Sequence, residues 1–98
     1  MDERIEWALA VIRRADDLLT AYARRQAADM PSYWRLRQAL SAFEVAAFGL
    51  EPDFRAMQAA LAEFQRAAGP GSTRLARTVR GELVRAEMAL RAELVPAG

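Results

Sequence analysis

The sequence predicts an all-α fold, a four-helix antiparallel bundle built by one helical domain over residues 1–98, and three observations predict it. The chain holds 22 Ala and 11 Leu but only five Val, two Ile and three Thr. Ala and straight-chain residues lose little on entering a helix, whereas a sheet draws on β-branched side chains. Pro and Gly gather at a few breaks and leave long stretches between them. Within those stretches apolar residues recur at helical spacing. A chain of 98 residues supports one compact core.

The first helix is expected over 2–28. Ile5, Ala8, Leu9, Ile12, Ala15, Leu19 and Tyr22 form a broad apolar face, which Trp7, Val11 and Leu18 extend on one side. Together they sweep roughly 200° of perimeter, against ~100° for an ordinary surface helix. Glu6, Arg13, Asp17, Thr20 and Arg24 make up the wet strip. Asp29-Met30-Pro31 ends this helix, because proline suits a first turn and the residue before it leaves helical geometry. The break is compatible with a reversal or with a kink.

The second helix, 31–48, carries two stripes. Tyr33, Leu36, Leu40, Phe43 and Ala47 form the main one; Trp34, Ser41, Val45 and Phe48 form another, with Arg37 and Glu44 between. At the next break Gly49 suits a left-handed C-cap, Pro52 the first helical position and Asp53 the positive end of the following helix dipole. The third helix, 52–67, has a single narrow stripe of Phe54, Met57, Leu61 and Phe64. Gly69-Pro70-Gly71-Ser72 is the strongest break, with Ser72 as an N-cap. The fourth helix, 72–95, has a main seam of Leu75, Val79, Leu83, Ala86, Leu90 and Leu94. On its far side Val84, Met88 and Val95 sit among Arg74, Arg77, Arg80, Arg85 and Arg91, and Pro96 closes it. Short connections make neighbouring helices antiparallel. Arg13–Asp17, Arg25–Asp29, Glu51–Arg55 and Glu87–Arg91 have ion-pair spacing, each contributing about 0.2–0.5 kcal/mol.

Composition removes whole classes of chemistry. Cys, His and Lys are absent, and all 14 basic residues are Arg. Disulfides, thiolate metal sites and cysteine nucleophiles go with the first. The commonest metal ligand and general base go with the second. Schiff-base chemistry and the phosphate-loop lysine go with the third. Asp16 and Asp17 are adjacent on a helix and point about 100° apart, so they do not chelate together. No Glu stands within a main apolar seam, and no metal or other cofactor is expected. Ser32, Ser41 and Ser72 lack a His or Lys to activate them. Gly69-Pro70-Gly71-Ser72 follows a helix rather than a strand and reads as a turn, not a phosphate cradle.

Leu18-Leu19-Thr20-Ala21-Tyr22-Ala23-Arg24-Arg25 resembles the first-helix pattern of the helical chorismate mutases over eight residues. That pattern continues with a Lys and then an Arg-Glu pair on the second helix. This chain has no Lys, and its nearest pair is Arg37-Gln38, so the likeness carries no assignment. The acidic start and the short apolar runs are unlike a targeting peptide or a membrane span, and the expected location is cytoplasmic.

Three helices bear more apolar perimeter than an isolated bundle buries. The expected function is therefore a non-enzymatic protein–protein interaction domain, a small adaptor or regulatory subunit, with a second copy completing the bundle as a homodimer. Its anchors are Trp7, Val11 and Leu18 on the first helix, Trp34, Val45 and Phe48 on the second, and Val84, Arg85 and Met88 on the fourth, with Arg at the rim. The weaker reading is a nucleic-acid regulator using the Arg face of the fourth helix, opposed by a net charge of only +1. Weaker still is a helical enzyme that binds a small anion through Arg. A deep pocket lined by two or more Arg without carboxylate partners would favour that last reading.

Overall fold

A computed structural model describes residues 3–25, 30–69 and 72–94. Four helices fill them: α1 (Glu3–Arg25), α2 (Met30–Phe48), α3 (Phe54–Ala67) and α4 (Thr73–Leu94). The expected extensions of the first helix to 28 and of the last to 95 fall outside the described residues.

Long-range contacts set the topology. Arg37 on α2 bonds Asp16 and Thr20 on α1. Along one continuous helix, residues 16 and 37 would stand ~31 Å apart at ~1.5 Å per residue. The chain therefore reverses between α1 and α2 and does not merely kink. Between α3 and α4, Gln58 bonds Glu87 while Arg91 lies over Phe54, the crossing-over of sequence order that antiparallel neighbours require. α1 packs mainly on α4 and α2 on α3. The α1–α2 and α3–α4 contacts close the ring, and α2 and α4 barely meet across it. The result is a rod of 49 × 22 × 21 Å.

All four seams turn inward. Ala8, Ile12, Leu19 and Tyr22 from α1 meet Leu36, Leu40 and Phe43 from α2, Met57, Leu61 and Phe64 from α3, and Val79, Leu83 and Leu90 from α4 in one buried cluster. Leu19, Phe43 and Phe64 are completely enclosed. Ile5, Phe54 and Leu75 lie at its margins, half-buried. Thr20, expected in the wet strip of α1, is half-buried because Arg37 reaches across to its hydroxyl.

The helix ends differ from expectation in four ways. Met30, expected to leave helical geometry before Pro31, is the first residue of α2. Asp53 is itself the α3 N-cap, with extended backbone and a carboxylate accepting from the Ala56 N–H at 3.0 Å. Pro52 thus precedes the cap, and α3 starts at Phe54 rather than at 52. A carboxylate that satisfies a free N–H near a positive helix end stabilises that start directly. Gly49 is not left-handed. A Cβ there would come within 3.1 Å of the Val45 carbonyl oxygen, so close approach rather than handedness calls for glycine. Ser72 holds the N-cap position of α4 by its backbone, since its carbonyl accepts from the Ala76 N–H at 2.9 Å. Its buried hydroxyl instead accepts from the Gly69 N–H, also at 2.9 Å. That hydroxyl therefore ties down the turn and caps nothing in the helix.

Gly81 stands exposed inside α4, and a Cβ added there meets nothing within 4 Å. Gly81→Ala removes backbone freedom from the unfolded chain and is expected to stabilise the protein by ~0.5–1 kcal/mol. Urea unfolding should show a higher midpoint at constant slope. A lower midpoint would mean that Gly81 makes room for something the open surface does not reveal.

Candidate functional site

Three of the nine expected anchors belong to the core or its edge. Val11 is only 6% exposed and lies in the central cluster. Leu18 and Val84 are half-buried against it. Each sits at the border of an apolar face, where the position of the neighbouring helix decides coverage. α4 covers one flank of α1, and α3 covers one flank of α4. The other six are exposed: Trp7, Trp34, Val45, Phe48, Arg85 and Met88.

The exposed residues concentrate on α2. Trp34 is 55% exposed, Val45 73% and Phe48 37%, all on the outward side of the helix, and Leu50 beyond its end is fully exposed. Trp34, Gln38, Ser41, Val45 and Phe48 follow one another at steps of four and three, which keeps them on one stripe. The Trp34 ring rests edge-on against Tyr33, with centroids 5.1 Å apart at 65°. That contact steadies the indole while leaving its outer face to solvent.

Arg37 fixes the flank of this stripe. Its guanidinium donates to Asp16, to the Thr20 hydroxyl at 3.1 Å and to the Tyr33 hydroxyl at 3.2–3.3 Å. Burial works against the Arg37 charge, but the hydrogen bonds to Tyr33 and Asp16 and the Asp16 charge outweigh it, holding its pKa above the usual value. A raised pKa contributes stability below the ordinary guanidinium value and loses it only above, so the Arg37 charge itself persists through neutrality. In the sequence Arg37 only separates two stripes, and its spacing of four from Tyr33 is the one signal of this tie.

A second exposed group lies at the α1–α4 junction. Trp7, Ala10, Arg14, Glu82 and Arg85 border a shallow recess of about 250 Å³, across which Arg14 and Glu82 approach to 3.9 Å. Met88 is exposed on α4.

The Arg face expected on α4 is thinner than its sequence suggests. Arg74, Arg77 and Arg85 are exposed. Arg80 is half-buried beside α3. Arg91 donates to Glu87 at 2.8 Å and lies over the Phe54 ring at 4.4 Å. Arg91 is thus committed to Glu87 and Phe54, and Arg80 is drawn off the open face, which leaves three exposed Arg and weakens the case for a nucleic-acid surface.

Glu87 corrects another expectation. It is 5% exposed, in line with the apolar seam of α4, and its carboxylate accepts from Gln58 and Arg91. The sequence shows the Glu87–Arg91 spacing but not the burial of its carboxylate. Arg13–Asp17 and Glu51–Arg55 are not among the ion pairs of the described residues, and Arg25–Asp29 involves a residue outside them. Exposed side chains gain little from pairing, so such spacing does not by itself ensure a pair, although the exposed Glu63 and Arg66 do meet.

Among the described residues no group of three or more acidic side chains converges as a metal site would require. No described helix is long and apolar enough to cross a membrane. No protein-family model, curated protein or solved structure matches this chain.

Proposed function

We propose that this chain is a non-enzymatic interaction domain that associates with a second copy of itself through the outer face of α2. The observation that carries the reading is the exposed stripe of Trp34, Val45 and Phe48 on a helix whose opposite face is already buried. Trp is costly to leave wet and is enriched among residues that dominate interface energies.

The register of the stripe favours a second copy over an unrelated partner. Trp34 and Phe48 stand seven residues on either side of Ser41. An antiparallel α2–α2 pair with its two-fold axis at Ser41 sets Trp34 of one copy against Phe48 of the other, twice. The small Ser41 at the centre permits close approach. Arg37 and Glu44 share one flank, four residues before and three after Ser41, so the same reversal brings opposite charges together. A surface complementary to itself is what an isologous interface needs.

Sedimentation equilibrium at micromolar concentration tests this. The expected species is a dimer, and Trp34→Arg should weaken it by more than about 30-fold, as loss of an aromatic anchor does. Met88→Arg, on another helix, should leave it unchanged. A monomer at every concentration, unaffected by Trp34→Arg, would end the self-association reading.

A further inference from the structure

Between the end of α3 and the start of α4 lies a cleft of about 200 Å³. Its floor is apolar, from Phe64, Ala68 and Ala76; its rim is polar, from Gln65, Thr73, Arg77 and Arg80. The Arg80 Nε is buried and has no hydrogen-bond partner. No ion pair among the described residues involves Arg77 or Arg80. Two guanidinium groups thus face one cleft without a countercharge, although Arg91, further along the same helix, takes Glu87.

A buried charged donor left unpaired is costly, and native proteins seldom keep one without a use. Placement adds to this. The cleft lies beside the first turn of α4, the positive end of that helix's dipole. Thr73 contributes no donor, since its hydroxyl already gives its proton to the Gly69 carbonyl at 3.1 Å. The donors left to meet a ligand are Arg77, Arg80 and the Gln65 amide.

We infer that this cleft is a binding site for a small organic anion, one oxyanion group joined to a compact apolar body such as a single ring. The oxyanion meets Arg80 end-on, through its two Nη groups, because the Nε is enclosed; this too is a two-point fork of the kind guanidinium offers to paired oxygens. Arg77 adds a second charge, and the apolar body lies on Phe64, Ala68 and Ala76. The volume is below the ~300–1,000 Å³ of drug-sized sites, which restricts the ligand to fragment size. Carboxylate and phosphate monoester share this chemistry. Two Arg without carboxylate partners are what the small-anion reading asks for. Among the described residues, however, the lining offers no carboxylate, His or Cys as acid, base or nucleophile, so the cleft is inferred to bind and not to catalyse. The site is separate from the α2 face and does not depend on self-association.

The test is an NMR titration of the full chain with three probes: benzoate, phenyl phosphate and inorganic phosphate. Benzoate or phenyl phosphate should shift the Arg80 Nε–H resonance with a Kd on the order of 0.1–1 mM, as suits so small a ligand. Inorganic phosphate, with nothing to place on the floor, should bind at least ~10-fold more weakly. The stronger of the two ring-bearing probes identifies the headgroup. Arg77→Gln and Arg80→Gln should each weaken binding by ~10-fold or more, as loss of a charge-assisted contact does. Arg74→Gln, on the open face of α4, should not. Circular dichroism checks that each variant is folded, and Arg77→Gln, at an exposed position, keeps the test available should Arg80→Gln unfold. The inference is overturned if neither ring-bearing probe moves the Arg80 signal at ~20 mM, far above that Kd. Equal binding by the double variant, or by inorganic phosphate, would overturn it as well.

Discussion

Phe43→Ala is expected to destabilise the protein by about 3–5 kcal/mol, the cost of emptying a large, fully enclosed core position. Phe43 is completely buried on α2, among seam residues from all four helices. Domains of this size hold only ~5–15 kcal/mol of net stability, so the variant should sit close to unfolding at room temperature. Urea denaturation followed by circular dichroism measures it. Phe48→Ala, one and a half turns further along but facing outward, should change monomer stability by less than ~1 kcal/mol while weakening association. A cost below ~1 kcal/mol for Phe43→Ala would mean that the helices do not close around that ring.

Arg91→Leu should cost about 1–3 kcal/mol, the second-largest effect expected of a single substitution here. It leaves the buried Glu87 carboxylate with the Gln58 amide as its remaining partner and removes a cation from the Phe54 ring. Breaking a fully buried pair costs ~3–5 kcal/mol. The Arg91 side chain is nearly half exposed, so water takes over part of its role and the figure is reduced accordingly. Adding Glu87→Gln to Arg91→Leu should restore part of the loss, since no uncompensated charge then remains. A double-mutant cycle reads the coupling. Should Arg91→Leu cost less than ~0.5 kcal/mol, solvent is serving Glu87 and the α3–α4 clasp has no energetic role.

These two predictions mark the border between what sequence reasoning reaches and what it misses. Phe43 was legible as core because Tyr33, Leu36, Leu40, Phe43 and Ala47 repeat at helical spacing, and that repeat has one solution, burial of the stripe. Glu87 was not legible. It follows Leu83 by four residues, so it occupies the seam, yet as an acidic residue it reads as solvated. Its burial is tolerable because Gln58, 29 residues earlier on another helix, donates to it alongside Arg91. Arg37 is a similar case, since its partners Asp16 and Thr20 belong to α1. Trp34, Val45 and Phe48 could be read as an outward stripe because they share a helix with a stronger apolar face directed elsewhere. Val11, Leu18 and Val84 could not be sorted in this way, because each lies at the shoulder of a face.

The four helices, the breaks between them and the face each turns inward are properties of residues within a few positions of one another, so the chain's own letters determined them. Tertiary structure alone decided the covering of the shoulders, the burial of Glu87, the bolt through Arg37 and the unpaired Arg80 beside α3. Each of these depends on where another helix lies, and that position comes from contacts between residues far apart in the chain. Local periodicity holds no record of them.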